Sequence, residues 1–381
     1  MGLNVVLRSA VMRGLAGGPR VLLVACPGGT AVRLAAEAAV GERGGRLALT
    51  PAEADVLLVA GEPAAELRSA VDVLWGQMPG PRRLGQAARA RDVGAVLEAL
   101  LPGRGDGGRA ARSAPWAPSG GDGETARLGE PVMAGRGEDR DGLRLDVLRV
   151  PLGPVLPDWP AGLVVDTVVQ GDVVQRAGGR VLPFAGPRRP PFWHAGKSPD
   201  ARRRRTAAAH LDSLGRLLAV AGWEAAAREA RRLRDRLLDG EPERGVRADV
   251  GAWRRRVERS RTLRWATDGL GVLTPADAAG LGVSGPAARA RAPHDATARW
   301  RRWLEEADGL LAGGPVRDGG PRGSATVEAV PPSRGLLAAA VERMPGRELS
   351  AARLLLASLD PDPDELAAGR APGGTRGVGV R

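Results

Sequence analysis

The chain has 381 residues and a formal net charge of +12, with one cysteine, no tyrosine and two phenylalanines. One cysteine excludes an intramolecular disulfide, and no apolar run approaches the roughly 20 residues that a bilayer-crossing helix needs. The length exceeds that of a single hydrophobic core, so two domains are expected.

The first elements alternate strand and helix. "PRVLLVACPGGTAVRLAAEAAVG" reads as a buried strand over 21–25, a glycine turn and a helix with Val32, Ala35, Ala36 and Ala39 inward. After Pro51, "ADVLLVAGEPAAELRSAVDVLWGQMPGPRRL" repeats the pattern. This predicts an α/β domain over 1–103, a small parallel sheet with helices. Residues 104–140 are rich in Gly, Pro, Ser and charge and are expected to form a disordered linker.

A second domain of the α+β class is expected over 141–368, followed by a tail at 369–381. Its β-branched runs, split by Pro and Gly with "QGD" as a turn, predict a small antiparallel sheet over 141–185. A helical bundle follows over 201–312. Leu211, Leu214, Leu218 and Ala221 share one face, as do Val250, Trp253 and Val257 on a helix over 249–264. A further helix over 295–311 carries Trp300, Trp303, Leu304 and Leu311. In the 325–368 region, "ARLLLASLDPDPDELAAG" suggests a last buried strand and turn.

Few stretches carry chemistry. "ACPGGT" sits where an anion-binding turn would, between strand and helix, but lacks the Gly-Lys-Ser/Thr ending of a phosphate loop. "GLGVSG" at 280–285 has dinucleotide-loop spacing, yet "PADAA" before it reads as a helical turn rather than a strand. His194, His210 and His294 lie far apart with no carboxylate at ligand spacing, which disfavours zinc, and Cys26 reads as a small buried hydrophobe. The pairs Glu224 with Arg228 and Glu258 with Arg261 point to solvated helix faces. Nucleic-acid binding through "ARRRRTAAAH" is disfavoured because the basic segments lack interleaved aromatics.

One long segment resembles a known family. "RTLRWATDGLGVLTPADAAGLGVSGPAARA" (261–290), with Gly269, Gly271, Val272, Asp277, Ala278, Gly282, Gly285, Pro286, Arg289 and Ala290, resembles a helix-to-loop segment of NADH-quinone oxidoreductase, respiratory complex I. The segment belongs to that complex's D subunit, a relative of the nickel-iron hydrogenase large subunit. Three further stretches look similar in the same order. They are "GPVLPDWPAGLVVDTVVQGDVV" (153–174), "REARRLRDRLL" (228–238, with Glu229, Arg232, Leu233 and Asp235) and "LLASLDPDPDELA" (355–367). The first hundred residues, through 54–84 with Gly61 and "QMPGPR", look like the complex's B subunit, which is akin to the hydrogenase small subunit.

The resemblance implies a B-like part joined to a D-like part, with a cleft where the family reduces quinone. The departures imply lost chemistry. The family's B subunit holds an iron-sulfur cluster on four cysteines, whereas this chain has Cys26 alone. Where the family's cleft loop carries a quinone-binding His, Leu156 stands, no Tyr is present, and Arg236 replaces a family His. Leu cannot donate a proton or a hydrogen bond. The expectation is an accessory or catalytically degenerate subunit that holds no cofactor itself and partners other complex I-like subunits, with quinone contact left open. Its expected location is the cytoplasm, peripheral at the inner face of the membrane. The alternative is a stand-alone protein holding a quinone-like ligand in an inter-domain cleft. Gly153, Pro154, Leu156, Glu229, Asp235, Gly285 and Arg289 are the residues expected to shape the cleft or interface, with Gly282 and Pro286 shaping the same loop.

Overall fold

A computed structural model of the chain describes residues 18–101, 135–138, 144–185, 190–196, 198–316, 320–323, 331–368 and 378–379. The chain divides into two units, the first holding the N-terminal elements through Leu100 and the second holding those from Gly135 onward.

In the first unit, β1 (Arg20–Ala25), β2 (Arg46–Leu47), β3 (Val56–Ala60) and β4 (Arg83–Ala87) form a parallel sheet in the order β2-β1-β3-β4. All five residues of β3, VLLVA, are buried, as a strand covered on both faces requires. Helix α1 (Thr30–Glu42) connects β1 to β2 and α2 (Ala65–Gln77) connects β3 to β4, while α3 (Val93–Leu100) follows β4. Val32, Ala36 and Val40 of α1 join Val21, Val56, Leu58, Leu97 and Leu100 in one apolar core.

The second unit opens with antiparallel strands β5 (Gly135–Glu138), β6 (Arg144–Leu152), β7 (Leu163–Gln170) and β8 (Val173–Val181), and the two-residue β9 (Val378–Gly379) pairs with β8. The helices follow: α4 (Pro199–Val220), α5 (Glu224–Leu238), α6 (Glu243–Glu258), α7 (Arg261–Thr267), α8 (Pro275–Gly280), α9 (Gly285–Ala288), α10 (Ala296–Leu311), α11 (Pro332–Arg343), α12 (Leu349–Leu359) and α13 (Pro363–Ala368). Leu211, Leu214 and Leu218 of α4 are fully buried, as their spacing predicts, and so are Val250 and Val257 of α6 and Trp300 and Trp303 of α10. The α/β unit followed by an α+β unit is the architecture that the sequence pattern implies.

Several boundaries differ from the sequence reading. The buried strand expected near 355 is the helix α12. Ala352, Leu355, Leu356 and Leu359 recur at helical spacing and are all buried, and the run Leu354–Leu355–Leu356 imitates a strand only because neighbouring helices such as α11 cover its remaining faces. The helix expected over 249–264 is two helices, because the Ser260 hydroxyl accepts from the Leu263 N–H and starts α7 afresh. In the same region Glu258 pairs with Arg254 at 2.8 Å, and Glu224 approaches Arg228 at 3.9 Å. Within the expected linker 104–140, β5 is a strand, since β6 offers it a ladder partner that composition cannot reveal. For the same reason part of the 369–381 tail is the strand β9. The rest of linker and tail, residues 104–134, 139–140, 369–377 and 380–381, lies outside the described residues.

Burial ranks the cost of truncation. Leu97→Ala in the first unit and Leu355→Ala in the second, both fully buried, are each expected to destabilise by about 2–5 kcal/mol. Leu148→Ala, 46% exposed, is expected to stay within about 0.5 kcal/mol of the parent. Denaturant unfolding followed by circular dichroism measures all three.

Candidate functional site

The glycine-punctuated segment 269–290 is a crossing point held from several sides. Arg299, at the start of α10 and with no exposed surface, donates to the carbonyls of Gly271 (2.7 Å), His294 (3.2 Å) and Leu270 (3.4 Å) and to Ser358 Oγ (2.8 Å) of α12. Burial pushes its guanidinium down to about 9, which leaves it cationic at neutral pH. Gly271 has φ 55°, and a Cβ there would lie 2.6 Å from Leu355 Cδ1. Only glycine lets the loop wrap this cation. Asp295 caps α10 and accepts from the Gly269 N–H at 2.8 Å. Arg343 of α11 ties Val272 O (2.8 Å) and Asp277 Oδ2 (3.1 Å) from the other side. Gly285 backs onto Gly323, where an added Cβ would stand 2.5 Å from the neighbouring Cα. Gly282 and the buried Pro286 complete the bend. Arg289 reaches Glu306 Oε1 at 3.0 Å. As "PADAA" implied, the helix α8 and not a strand precedes "GLGVSG", which is the wrong setting for a pyrophosphate.

The Gly153–Pro154 loop between β6 and β7 is equally fixed. Trp159 Nε1 donates to Leu163 O at 2.7 Å, and a Cβ on Gly153 would collide with that same oxygen at 2.1 Å. Leu156 is half-buried. Asp158, two residues on, forms an ion pair with Arg231 of α5 and anchors the loop to the bundle. Glu229 pairs with Arg232 on the helix surface, whereas Asp235 binds Arg234 at 2.7 Å. Arg236, at the expected family-His position, clamps Glu241 and Asp249, each at 2.7 Å. The expected residues therefore occupy three separate settings, and among them Asp235 alone joins the feature that follows.

That feature is a buried ionic network for which the sequence gives little warning. Asp360, in the left-handed conformation that ends α12 (φ 46°), is 1% exposed. Its carboxylate accepts from Ser213 Oγ (2.5 Å), Arg216 (2.9 Å) and Arg322 (2.5 Å), and Arg322 Nε also donates to Asp360 O at 2.8 Å. Arg216 continues to Asp212 (3.2 Å), and Asp212 to Arg234 (2.7 Å), whose side chain is wholly buried. On the other side, Arg322 lies 3.9 Å from Asp362, and Ser333 Oγ joins the Asp362 N–H (2.8 Å) to Glu365 Oε2 (2.6 Å). His194 closes the chain with Nε2 2.9 Å from Glu365 Oε1. The acids of "DPDPDE" carry a single sequence signal, a dense acidic run inside an otherwise apolar stretch.

The network contains a carboxyl that titrates near neutrality. Desolvation pushes Asp362 up to about 7, with Asp364 and Glu365 adding repulsion and Arg322 opposing it. The Glu365 hydrogen bond raises His194 against desolvation. Glu365 is held below its ordinary value because its bonds to His194 and Ser333 outweigh its burial. His210, fully buried 3.6 Å from Glu306, stays neutral: burial and the charges of Arg322, Arg289 and Arg302 push it down to about 3. Cys26 is buried and its thiol is raised to about 12 by desolvation and Glu62, so it cannot serve as a thiolate. No group of three or more His, Cys, Asp or Glu suited to a metal ion occurs among the described residues, and none of their helices is long and apolar enough to cross a membrane.

Neither a protein-family model nor a curated protein matches the sequence. Among solved structures, the chain is similar to one chain of the membrane-bound sulfane sulfur reductase (MBS), an archaeal respiratory membrane complex. The identity is 14% and the TM-score 0.41, over 58% of this chain and 98% of that one.

Asp362, its carboxyl raised to about 7, keeps a proton in the folded state that the unfolded chain releases, so its contribution favours the fold at mildly acidic pH and is lost as pH rises toward about 7, and His194, raised by its bond to Glu365, acts in the same direction. Thermal unfolding between about pH 5 and about pH 9 is expected to show that decline, and Asp362→Asn to flatten it. An unchanged slope in the variant would contradict the assignment.

Proposed function

We propose that the chain is an accessory, catalytically degenerate subunit related to the B and D subunits of NADH-quinone oxidoreductase, acting within a respiratory electron-transfer complex at the membrane face. The observation that carries this reading is the setting of Leu156. The residues that resemble the family's cleft loop are kept in order, and the loop is braced internally by Trp159 and fixed to the bundle by Asp158 with Arg231. At the position where the family places an imidazole, however, stands a half-buried alkyl side chain. It offers a quinone oxygen neither a proton nor a hydrogen bond.

The residues present do not fit an iron-sulfur cluster. The sole thiol is Cys26, and burial with a raised pKa keeps it protonated, whereas a cluster needs about four thiolates. No electron-transfer step is assigned to this chain. Its contribution to a complex is a surface and a frame, and its polar interior is occupied by ion pairs that hold that frame together.

The test is purification of the full chain from its native membranes in mild detergent, with subunit identification and iron analysis. Stoichiometric co-elution with respiratory subunits is expected, and the chain expressed alone is expected to show no iron-sulfur absorption. A soluble monomer that carries a quinone-like molecule instead would support the stand-alone ligand-binding reading. Stoichiometric iron in the isolated chain would overturn both readings.

A further inference from the structure

Most arginines of the second unit have a partner, and a group that has no carboxylate partner gathers at one corner. Arg203 and Arg204 of the basic run at 202–205 face Glu243, and Arg205 lies 4.3 Å over the Phe192 ring. At the corner where α6 (Glu243–Glu258) meets α7 (Arg261–Thr267) the pattern changes. Arg255, Arg256, Arg259 and Arg261 are exposed, and no carboxylate pairs with any of them among the described residues. The nearest acid in sequence, Glu258, is taken by Arg254. With Trp223, Ala252, Ser260 and Thr262 these arginines line an open groove of about 640 Å³.

One indole accompanies them. Trp265, one helical turn after Arg261 and therefore on the same side of α7, is 83% exposed, more than any other large hydrophobic residue described. A tryptophan left in water beside unpaired guanidinium groups has a specific complement. The indole suits the zone between lipid headgroups and acyl chains, and the guanidinium groups suit the phosphates of anionic lipids. A single-stranded nucleic acid would call for successive stacking aromatics along a basic track, and the tryptophan that lines the groove, Trp223, is half-buried.

We infer that the α6–α7 corner, through Arg255, Arg256, Arg259, Arg261 and Trp265, docks the protein on an anionic bilayer surface. No spanning helix is needed for this, since several cationic side chains and one interfacial aromatic act together. The inference does not depend on the respiratory reading: the corner binds lipid whether or not the chain has respiratory partners.

The experiment sediments the full-length protein with vesicles of phosphatidylcholine alone or of phosphatidylcholine mixed with phosphatidylglycerol. Binding is expected only to the mixed vesicles, and raising salt is expected to weaken it. The double variant Arg255→Gln with Arg259→Gln is expected to lower partitioning about thirtyfold, from about fivefold for each guanidinium near the surface. Trp265→Ala is expected to lower it further, and none of these exposed substitutions should alter the circular dichroism spectrum. Equal binding to both vesicles, salt-insensitive binding or undiminished binding by the variants would overturn the inference. Retention of an RNA or DNA oligonucleotide by this corner without vesicle binding would also overturn it and assign the face to nucleic acid. Loss of lipid binding with respiratory co-elution intact would leave the proposed function standing, and lipid binding without that co-elution would leave only this inference standing.

Discussion

The second unit depends on the carboxylate of Asp360, which sits where α12 ends and binds Ser213, Arg216 and Arg322 with almost no exposed surface. A buried charge of this kind is stable only when paired and hydrogen-bonded, and the geometry supplies both. Because its partners come from α4 and from the 320–323 segment, one side chain joins parts of the chain up to 147 residues apart. Arg234 and Asp212 extend the hub to α5, and Glu365, Ser333 and His194 extend it toward the surface.

Arginine takes the role that aromatic hydroxyls and histidines often fill in a protein interior. The chain has no Tyr and three His, so hydrogen bonds in the core rely on guanidinium groups, which present five donors in a fixed fork. Arg299 shows this most fully, because a single buried side chain reaches three backbone carbonyls and a serine hydroxyl. The same chemistry explains why a net charge of +12 does not make the whole surface basic. Many of the charges are turned inward or paired, and at the α6–α7 corner four neighbouring arginines are neither.

Much of the fold was legible because periodicity reports burial directly. VLLVA as a fully buried parallel strand, the Leu211–Leu214–Leu218 stripe and the Trp300–Trp303 face all follow from spacing. The Leu354–Leu356 run misled because three consecutive buried leucines erase the polar side from which a helix is recognised, so burial alone matched a strand equally well. The site was legible only in part. Gly153 and Gly285 lie at positive φ in tight loops, a backbone geometry that glycine spacing records. Asp360, Asp362 and Arg322 were invisible because their meaning lies in partners distant in sequence, and an acidic run next to proline reads locally as a solvated turn.

The claim that these polar residues hold the frame together is tested most directly by a double-mutant cycle on Asp360 and Arg322. Arg322→Met or Asp360→Asn alone should destabilise by about 3–5 kcal/mol, since each takes from a buried charge its shortest ion-pair contact. The double variant should recover a large part of that loss, with a coupling energy of about 1–3 kcal/mol. Additive losses with no coupling, or single variants that unfold like the parent, would contradict it.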